Sequence, residues 1–209
     1  AYTEGINCGS CRFSHTAWAA GVEQGCYCKS CMFSSICECS SSSTIRAVVM
    51  SSDVVVLSAK RSAVGKIMGG LRNISAVDMG IQVASNAFSS VSMRAHQIDQ
   101  SIIGCVLQAG QGMNVARQVA LGAGVPKERP AYTVNQVCGS GLKSLELATQ
   151  LIQLGESQVV LAGGVENMSQ SPFLLQGWRG QDEKPSVLLD SIYRDGLLDV
   201  FEGIHMGIS

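Results

Sequence analysis

From Asp53 onward the apolar and polar positions switch between two periods. Val54 to Leu57 is a short, continuous, β-branched apolar run, which predicts a strand covered on both faces. A loop with Arg61, Gly65, Gly69 and Gly70 follows. Ser75 and Asp78 then read as a capping box, and Val77, Ile81, Ala84, Phe88 and Val91 recur at helical spacing behind it. Ser101 to Leu107 predicts a second strand, and Val115 to Ala123 a helix closed by Gly124 and Pro126. Tyr132 to Val137 predicts a third strand, Leu142 to Leu154 a helix ended by Gly155, and Val159 to Ala162 a fourth strand running into Gly163 and Gly164. Strands alternating with helices at this spacing imply parallel βαβ units, and so an α/β fold. After Glu166 the periodicity weakens. Pro172, Gly177, Gly180 and Pro185 among scattered charges predict a long, loop-rich insertion. No internal repeat is visible.

Ahead of this pattern the chain has a different character. Seven of the nine cysteines (Cys8, Cys11, Cys26, Cys28, Cys31, Cys37, Cys39) fall within the first 39 residues, and the serine run from Ser40 to Thr44 marks a seam. Cys8-x2-Cys11 and Cys28-x2-Cys31 stand 16 residues apart, a spacing that fits a four-cysteine zinc knuckle. Three cysteines are left over, and no regular apolar pattern surrounds the pairs, so the expected reading is a disordered or artefactual extension with no metal. The odd cysteine count argues against a disulfide framework. Met50-Ser51-Ser52-Asp53 looks like a natural start. The expected organisation is therefore residues 1–49 as a cysteine- and serine-rich extension, 50–165 as a first domain, and 166–209 as the beginning of a loop domain.

Composition narrows the function classes. With 209 residues, 46% apolar and a formal charge of −1, the chain can build a core, and it has no basic field to hold a nucleic-acid backbone. No stretch of 18 consecutive apolar residues suggests a membrane span, and the start lacks a secretory layout, so a cytoplasmic protein is expected, with mitochondrial or peroxisomal location left open.

The most informative segment is Asn135-Gln136-Val137-Cys138-Gly139-Ser140-Gly141-Leu142-Lys143, a glycine turn between a strand and a helix. Three chemistries use such a turn, because free N–H groups and the helix dipole favour negative charge there. Dinucleotide binding lacks its third glycine, since Ser144 holds that place, although Glu166 follows the next strand about where a ribose-binding acid would. A serine nucleophile elbow needs glycine where Cys138 stands, so Ser140 reads as a helix cap. A cysteine nucleophile fits: Cys138 lies where strand gives way to helix, a setting that favours thiolate, with Gly139 and Gly141 clearing an approach to the sulfur. A helix dipole supplies only about 0.3–1 kcal/mol, so a base is still needed. Cys105, between Gly104 and Val106 inside a strand, reads as core.

The same segment, with Val160-Leu161-Ala162-Gly163-Gly164-Val165-Glu166-Asn167-Met168-Ser169, Asp195-Gly196-Leu197 and His205-Met206-Gly207, resembles the thiolases, most closely the acetoacetyl-CoA thiolases. Ser58-Ala59-Lys60-Arg61 with Gly65-Lys66, and the run from Gln108 to Gln118, fit the same family, so the resemblance covers about Ser52 to Ser209. It implies a thiolase-like N-terminal domain with a mixed, mostly parallel sheet. It implies Cys138 as the nucleophile that takes an acyl group from a CoA thioester, and Leu197, His205 and Met206 as residues lining the CoA and acyl pocket. The substrates implied are acetyl-CoA, acetoacetyl-CoA and CoA, with no further cofactor, in a homo-oligomer, dimer or tetramer, for the full-length protein. The family's activating histidine and second, acid/base cysteine belong to a C-terminal half outside these 209 residues, so the chain reads as truncated and inactive alone. A non-catalytic truncated product is the alternative.

Overall fold

The computed structural model describes residues 53–177, 179 and 187–209. The zinc knuckle expected from Cys8, Cys11, Cys28 and Cys31, and the whole of residues 1–49, lie outside the described residues. Helix α1 spans Ala76–Ser90, strand β1 Gln100–Gly104, helix α2 Val115–Gly122, strand β2 Ala131–Val134, helix α3 Ser140–Gln153 and strand β3 Val160–Gly164. The order β2-β1-β3 is parallel throughout, with Ile102 beside Tyr132 on one side and Ala162 on the other.

Local chemistry explains the boundaries. The Ser75 Oγ accepts from the Asp78 N–H at 2.9 Å and donates to the Asp78 carboxylate at 2.7 Å, so the N-terminus of α1 is capped as the sequence suggests. The buried face of α1 is Ala76, Gly80, Ala84 and Phe88; Ala84 and Phe88 are in the predicted stripe, while Val77 and Ile81 sit at its margin and Val91, past the helix end, is exposed. The small residues win because α1 must approach α2 closely. A Cβ at Gly80 would stand 2.7 Å from a Val119 methyl. Asn114 adopts a left-handed conformation and caps α2 through the Arg117 N–H at 3.1 Å. Gly155, also at positive φ, ends α3.

Alternation along β1 divides the sheet into two faces. Ile103 and Cys105 join Ala84, Phe88, Val115, Ala116, Val119 and Ala120 in the apolar core beneath α1 and α2. Gly104 points the other way, against the first turn of α3. The stripe that α3 turns to the sheet is made of small residues, Ser140, Ser144 and Ala148, while Leu142 and Leu145 are exposed. The Ser144 Oγ, fully buried, donates within reach of both the Gly141 and the Gly163 carbonyls.

One predicted element is missing. Val54 to Leu57 forms no strand and pairs with none among the described residues, and Val55, Val56 and Leu57 are 68%, 78% and 54% exposed. Both edges of β1 are taken by β2 and β3, and this run does not pair with the outer edge of either. Its apolar composition says that it is suited to burial and not which neighbour covers it. After Glu166 the described part of the chain carries only short elements. It holds the antiparallel pairs β4 (Phe173–Leu175) with β5 (Leu188–Asp190), and β6 (Leu198–Asp199) with β7 (Ile204–His205), joined by a π-helical turn over Ile192–Leu197. Among the described residues no helix is long and apolar enough to cross a membrane.

Candidate active site

The carboxyl ends of β1, β2 and β3 converge on the start of α3, the usual place for a ligand in an open parallel sheet. Two glycines make the convergence possible. A Cβ at Gly104 would overlap the Ser140 carbonyl, standing 2.6 Å from its oxygen and 2.7 Å from the Gly141 nitrogen. A Cβ at Gly164 would come within 3.2 Å of the Gly141 Cα. A Cβ at Gly141 itself would meet the Gly164 Cα at an ordinary 3.8 Å, so Gly104 and Gly164 are the glycines that this approach of helix to sheet requires. Gly139 is the N-cap of α3, and a side chain there would meet the Gln136 carbonyl at 3.3 Å.

The strand β2 stops at Val134, three residues short of the predicted end, because the chain turns. Val137 has φ +49°, and it is the one β-branched residue among the described non-glycines with positive φ. Such a conformation costs on the order of 1–3 kcal/mol and needs a surrounding that imposes it. Packing does not, since Val137 is exposed. Hydrogen bonds do. The Ser140 Oγ, in a 4% exposed residue, donates to the Val137 carbonyl at 2.6 Å and accepts from the Gln136 N–H at 2.8 Å. The Asn135 Oδ1 accepts from the Val137 N–H at 2.9 Å, and its Nδ2 donates to the Val106 carbonyl at 3.4 Å. Ser140 is thus not the helix cap expected from sequence: it sits one position inside α3 and reaches back to bind the turn. Cys138 follows Val137 directly, a free thiol exposed at the mouth of α3. Among the described residues no side chain is hydrogen-bonded to its sulfur.

Glu166, left over by the sequence reading as a ribose-binding acid, has another role. Its carboxylate accepts from the Val106 N–H at 2.9 Å and the Leu107 N–H at 3.2 Å, fixing the chain that leaves β1. The Cys105 thiol lies 3.7 Å from the same carboxylate and is 1% exposed; burial first, and the adjacent Glu166 charge second, push it up to about 12. A thiol so held stays protonated, which agrees with its expected place in the core. Asn167 was not singled out from sequence, yet its buried side chain donates to the Ile74 carbonyl at 2.6 Å and accepts from the Ser169 N–H at 3.0 Å, tying the loop before α1 to this edge. A buried asparagine after a Gly-Gly strand end is the only sequence signal that could have found it.

The other predicted site residues are brought to one another. Leu197 ends the π-helical turn and its carbonyl accepts from the Met206 N–H at 2.8 Å, while His205 pairs with Leu198 across β6 and β7. The His205 Nδ1 accepts from the Gly207 N–H at 3.0 Å, leaving Nε2 to carry the proton in the neutral ring, and Tyr193 stands 6.1 Å away, centroid to centroid. Gly196 places the start of this hairpin near Leu107, since a Cβ there would lie 3.6 Å from the leucine methyl. Among the described residues no group of three or more His, Cys, Asp or Glu side chains is arranged to hold a metal.

Residues 54–209 match the family model described as the thiolase N-terminal domain. The chain belongs to the thiolase family. It is 44% identical over 163 residues to the acetyl-CoA acetyltransferase of Syntrophomonas wolfei, covering 77% of this chain and 41% of that protein. It is 46% identical over 158 residues to the acetyl-CoA acetyltransferase of Pseudomonas aeruginosa, covering 75% and 40%. Its fold is similar to the crystal structure of the Acat5 thiolase from Ascaris suum in complex with coenzyme A, with TM-score 0.69, 36% identity, and coverage of 73% of this chain and 40% of that one. The chain thus spans about two fifths of the length of the thiolases it matches. The α/β thiolase-like fold expected from sequence is the fold observed.

Proposed function

We propose that this thiolase chain carries the nucleophilic half of an acetyl-CoA C-acetyltransferase, with Cys138 as the residue that becomes acylated. The observation that carries the reading is the exposed thiol set directly after a left-handed residue at the start of α3, on the carboxyl edge of the sheet. In the synthetic direction the Cys138 thiolate attacks the thioester carbon of acetyl-CoA. The carbonyl π electrons move to oxygen and return, and CoA leaves as its thiolate. The Cys138 N–H, at the opening of α3, is suited to receive the oxyanion, because the backbone donors paired within the turn are those of Gln136, Val137, Gly139 and Ser140. A second acetyl-CoA gives up an α proton to a base, and its carbanion attacks the acetyl-cysteine carbon, forming acetoacetyl-CoA and releasing the cysteine thiolate. Thiolysis is the reverse. Leu197, His205 and Met206, gathered in one hairpin, are the residues proposed to line the acyl and CoA pocket.

The base and the second acid/base cysteine are proposed to come from the part of the family's length that this chain does not span. This fits the absence, among the described residues, of any side chain bonded to the Cys138 sulfur. The whole protein is read as a cytoplasmic homo-oligomer acting on CoA thioesters without further cofactor. The test is a chimera that continues this chain with the remaining sequence of the Syntrophomonas wolfei enzyme. Incubated with acetyl-CoA, it should carry an acetyl thioester on the Cys138 peptide and release CoA, and given acetoacetyl-CoA with CoA it should consume both to form two acetyl-CoA; Cys138→Ser should abolish all of these. An acetyl group found elsewhere, or nowhere, would sink the assignment. The 209-residue chain alone should show no turnover.

A further inference from the structure

We propose that Ser140, together with Asn135, is the positioning residue that aims the Cys138 sulfur, by holding Val137 in a left-handed conformation that its own side chain disfavours. The inference rests on the reading of Cys138 as the nucleophile and adds how its direction is set.

Three observations carry it. A β-branched residue at φ +49° reverts to an extended backbone unless something prevents it. The Val137 side chain is 45% exposed and so is not wedged in place by packing. Its two flanking peptide groups are instead pinned from both sides: the Ser140 hydroxyl, alongside the Ser140 N–H, holds the Val137 carbonyl and alone holds the Gln136 N–H, and the Asn135 carboxamide holds the Val137 N–H. Ser140 is buried against the strand end at Gly104, so the clasp is anchored in the sheet and not in a mobile loop. Relaxing Val137 to an extended φ would rotate the peptide that precedes Cys138 and swing the sulfur away from the helix mouth. Glycine at position 137 has no such preference, which separates a positioning role from simple loss of a buried group.

The experiment follows iodoacetamide labelling of the full 209-residue chain at a fixed, mildly alkaline pH, with Cys138 and Cys105 read as separate peptides by mass spectrometry. Ser140→Ala should slow Cys138 labelling by about tenfold, as loss of a conformation worth this much strain implies. Adding Val137→Gly to Ser140→Ala should restore the rate to within about threefold of the original. Labelling of Cys138 at the original rate in Ser140→Ala, or a slowed rate that Val137→Gly does not restore, would overturn the proposal. Should Ser140→Ala open the fold, seen as labelling of the buried Cys105, the decision passes to Asn135→Ala at an exposed position. There a slowing of about threefold is expected for loss of one backbone hydrogen bond, and an unchanged rate counts against the clasp. Failure of the acyl-enzyme reading is distinguishable, because it shows as no acetyl group on Cys138 in the chimera whatever these labelling rates are.

Discussion

Two cysteines stand past the ends of neighbouring parallel strands, Cys105 after β1 and Cys138 after β2, and they are opposites. Cys105 continues the line of its strand, is buried beneath α1 and α2, and meets a carboxylate. Cys138 comes four residues past its strand, after a left-handed residue, and stands exposed at a helix start. Residue type and position in the sheet are nearly shared, so neither decides reactivity. What differs is the connection that follows. After β1 the chain is clamped flat by Glu166 through two N–H groups; after β2 it is turned outward by Ser140 and Asn135. The same edge thus makes one inert thiol and one accessible thiol.

The strongest way to break the contrast is at Gly104, where the helix that presents Cys138 rests on the strand that leads to Cys105. Gly104→Ala forces a methyl group into the Ser140 carbonyl, which is backbone and cannot swing aside. Overpacking of this kind costs about 3 kcal/mol or more, and it should push α3 off the sheet, raising labelling of Cys105 while blurring its difference from Cys138. Urea unfolding measures the first effect. A loss below about 1 kcal/mol would mean that the helix does not bear on the strand as tightly as described.

A smaller effect is expected at Glu166, which belongs to the Cys105 side alone. Glu166→Ala orphans the N–H groups of Val106 and Leu107, and a loss of about 2–3 kcal/mol follows for hydrogen bonds to a charged acceptor. The Cys105 thiol also supplies a pH signature. Its folded value is raised to about 12 from an ordinary 9.0, so the folded state holds its proton longer than the unfolded state. That contribution to stability is complete below pH 9.0 and is lost as pH rises toward 12. Removing Glu166 takes away one cause, leaving burial as the other, so the alkaline loss should become shallower in Glu166→Ala. An unchanged alkaline profile would show that the carboxylate does not act on the thiol.

How much of this was legible in the sequence follows from what each signal depends on. The capping pair Ser75 and Asp78, the α2 terminator Gly124 and the α3 terminator Gly155 act within one turn of chain, and they stand where expected. The place of Cys138 in a turn between strand and helix was legible because the glycines that mark such a turn are also local. The failures turn on partners or backbone conformations that the local pattern does not name. Val54 to Leu57 reads as a strand from composition, but a strand exists only with a neighbour. The hydroxyl of Ser140 binds backward to Gln136 and Val137 rather than forward into the helix, and it goes with a left-handed Val137 that no sequence pattern announces. Glu166 finds Val106 and Leu107 sixty residues away, a pairing fixed by the order β2-β1-β3.

The smallest effect is expected at the opposite, amino edge of the sheet, which offers a control for the Glu166 clamp. There Asp99 spans the same two strands: one oxygen accepts from the Gln158 N–H at 2.8 Å and the Val159 N–H at 3.1 Å, and the other pairs with Arg129 at 3.2 Å. The Gln158 hydrogen bond foremost, with help from Val159 and the Arg129 charge, holds its carboxyl below the ordinary value of 3.8. The unfolded chain therefore takes up this proton at a higher pH than the folded chain does. The clamp's contribution is complete above the ordinary aspartate value and is lost as pH falls through the lower folded one. The Asp99 and Arg129 side chains are partly open to water, which screens the pair. Asp99→Asn keeps an acceptor oxygen but gives up the charge, so a loss of about 1 kcal/mol near neutrality is expected. Its thermal midpoint should also fall less steeply than the parent's on acidification below about pH 4. Equal acid slopes would mean that this edge is held by the backbone ladder alone, and that carboxylate clamping matters only at the carboxyl edge, where it separates the two cysteines.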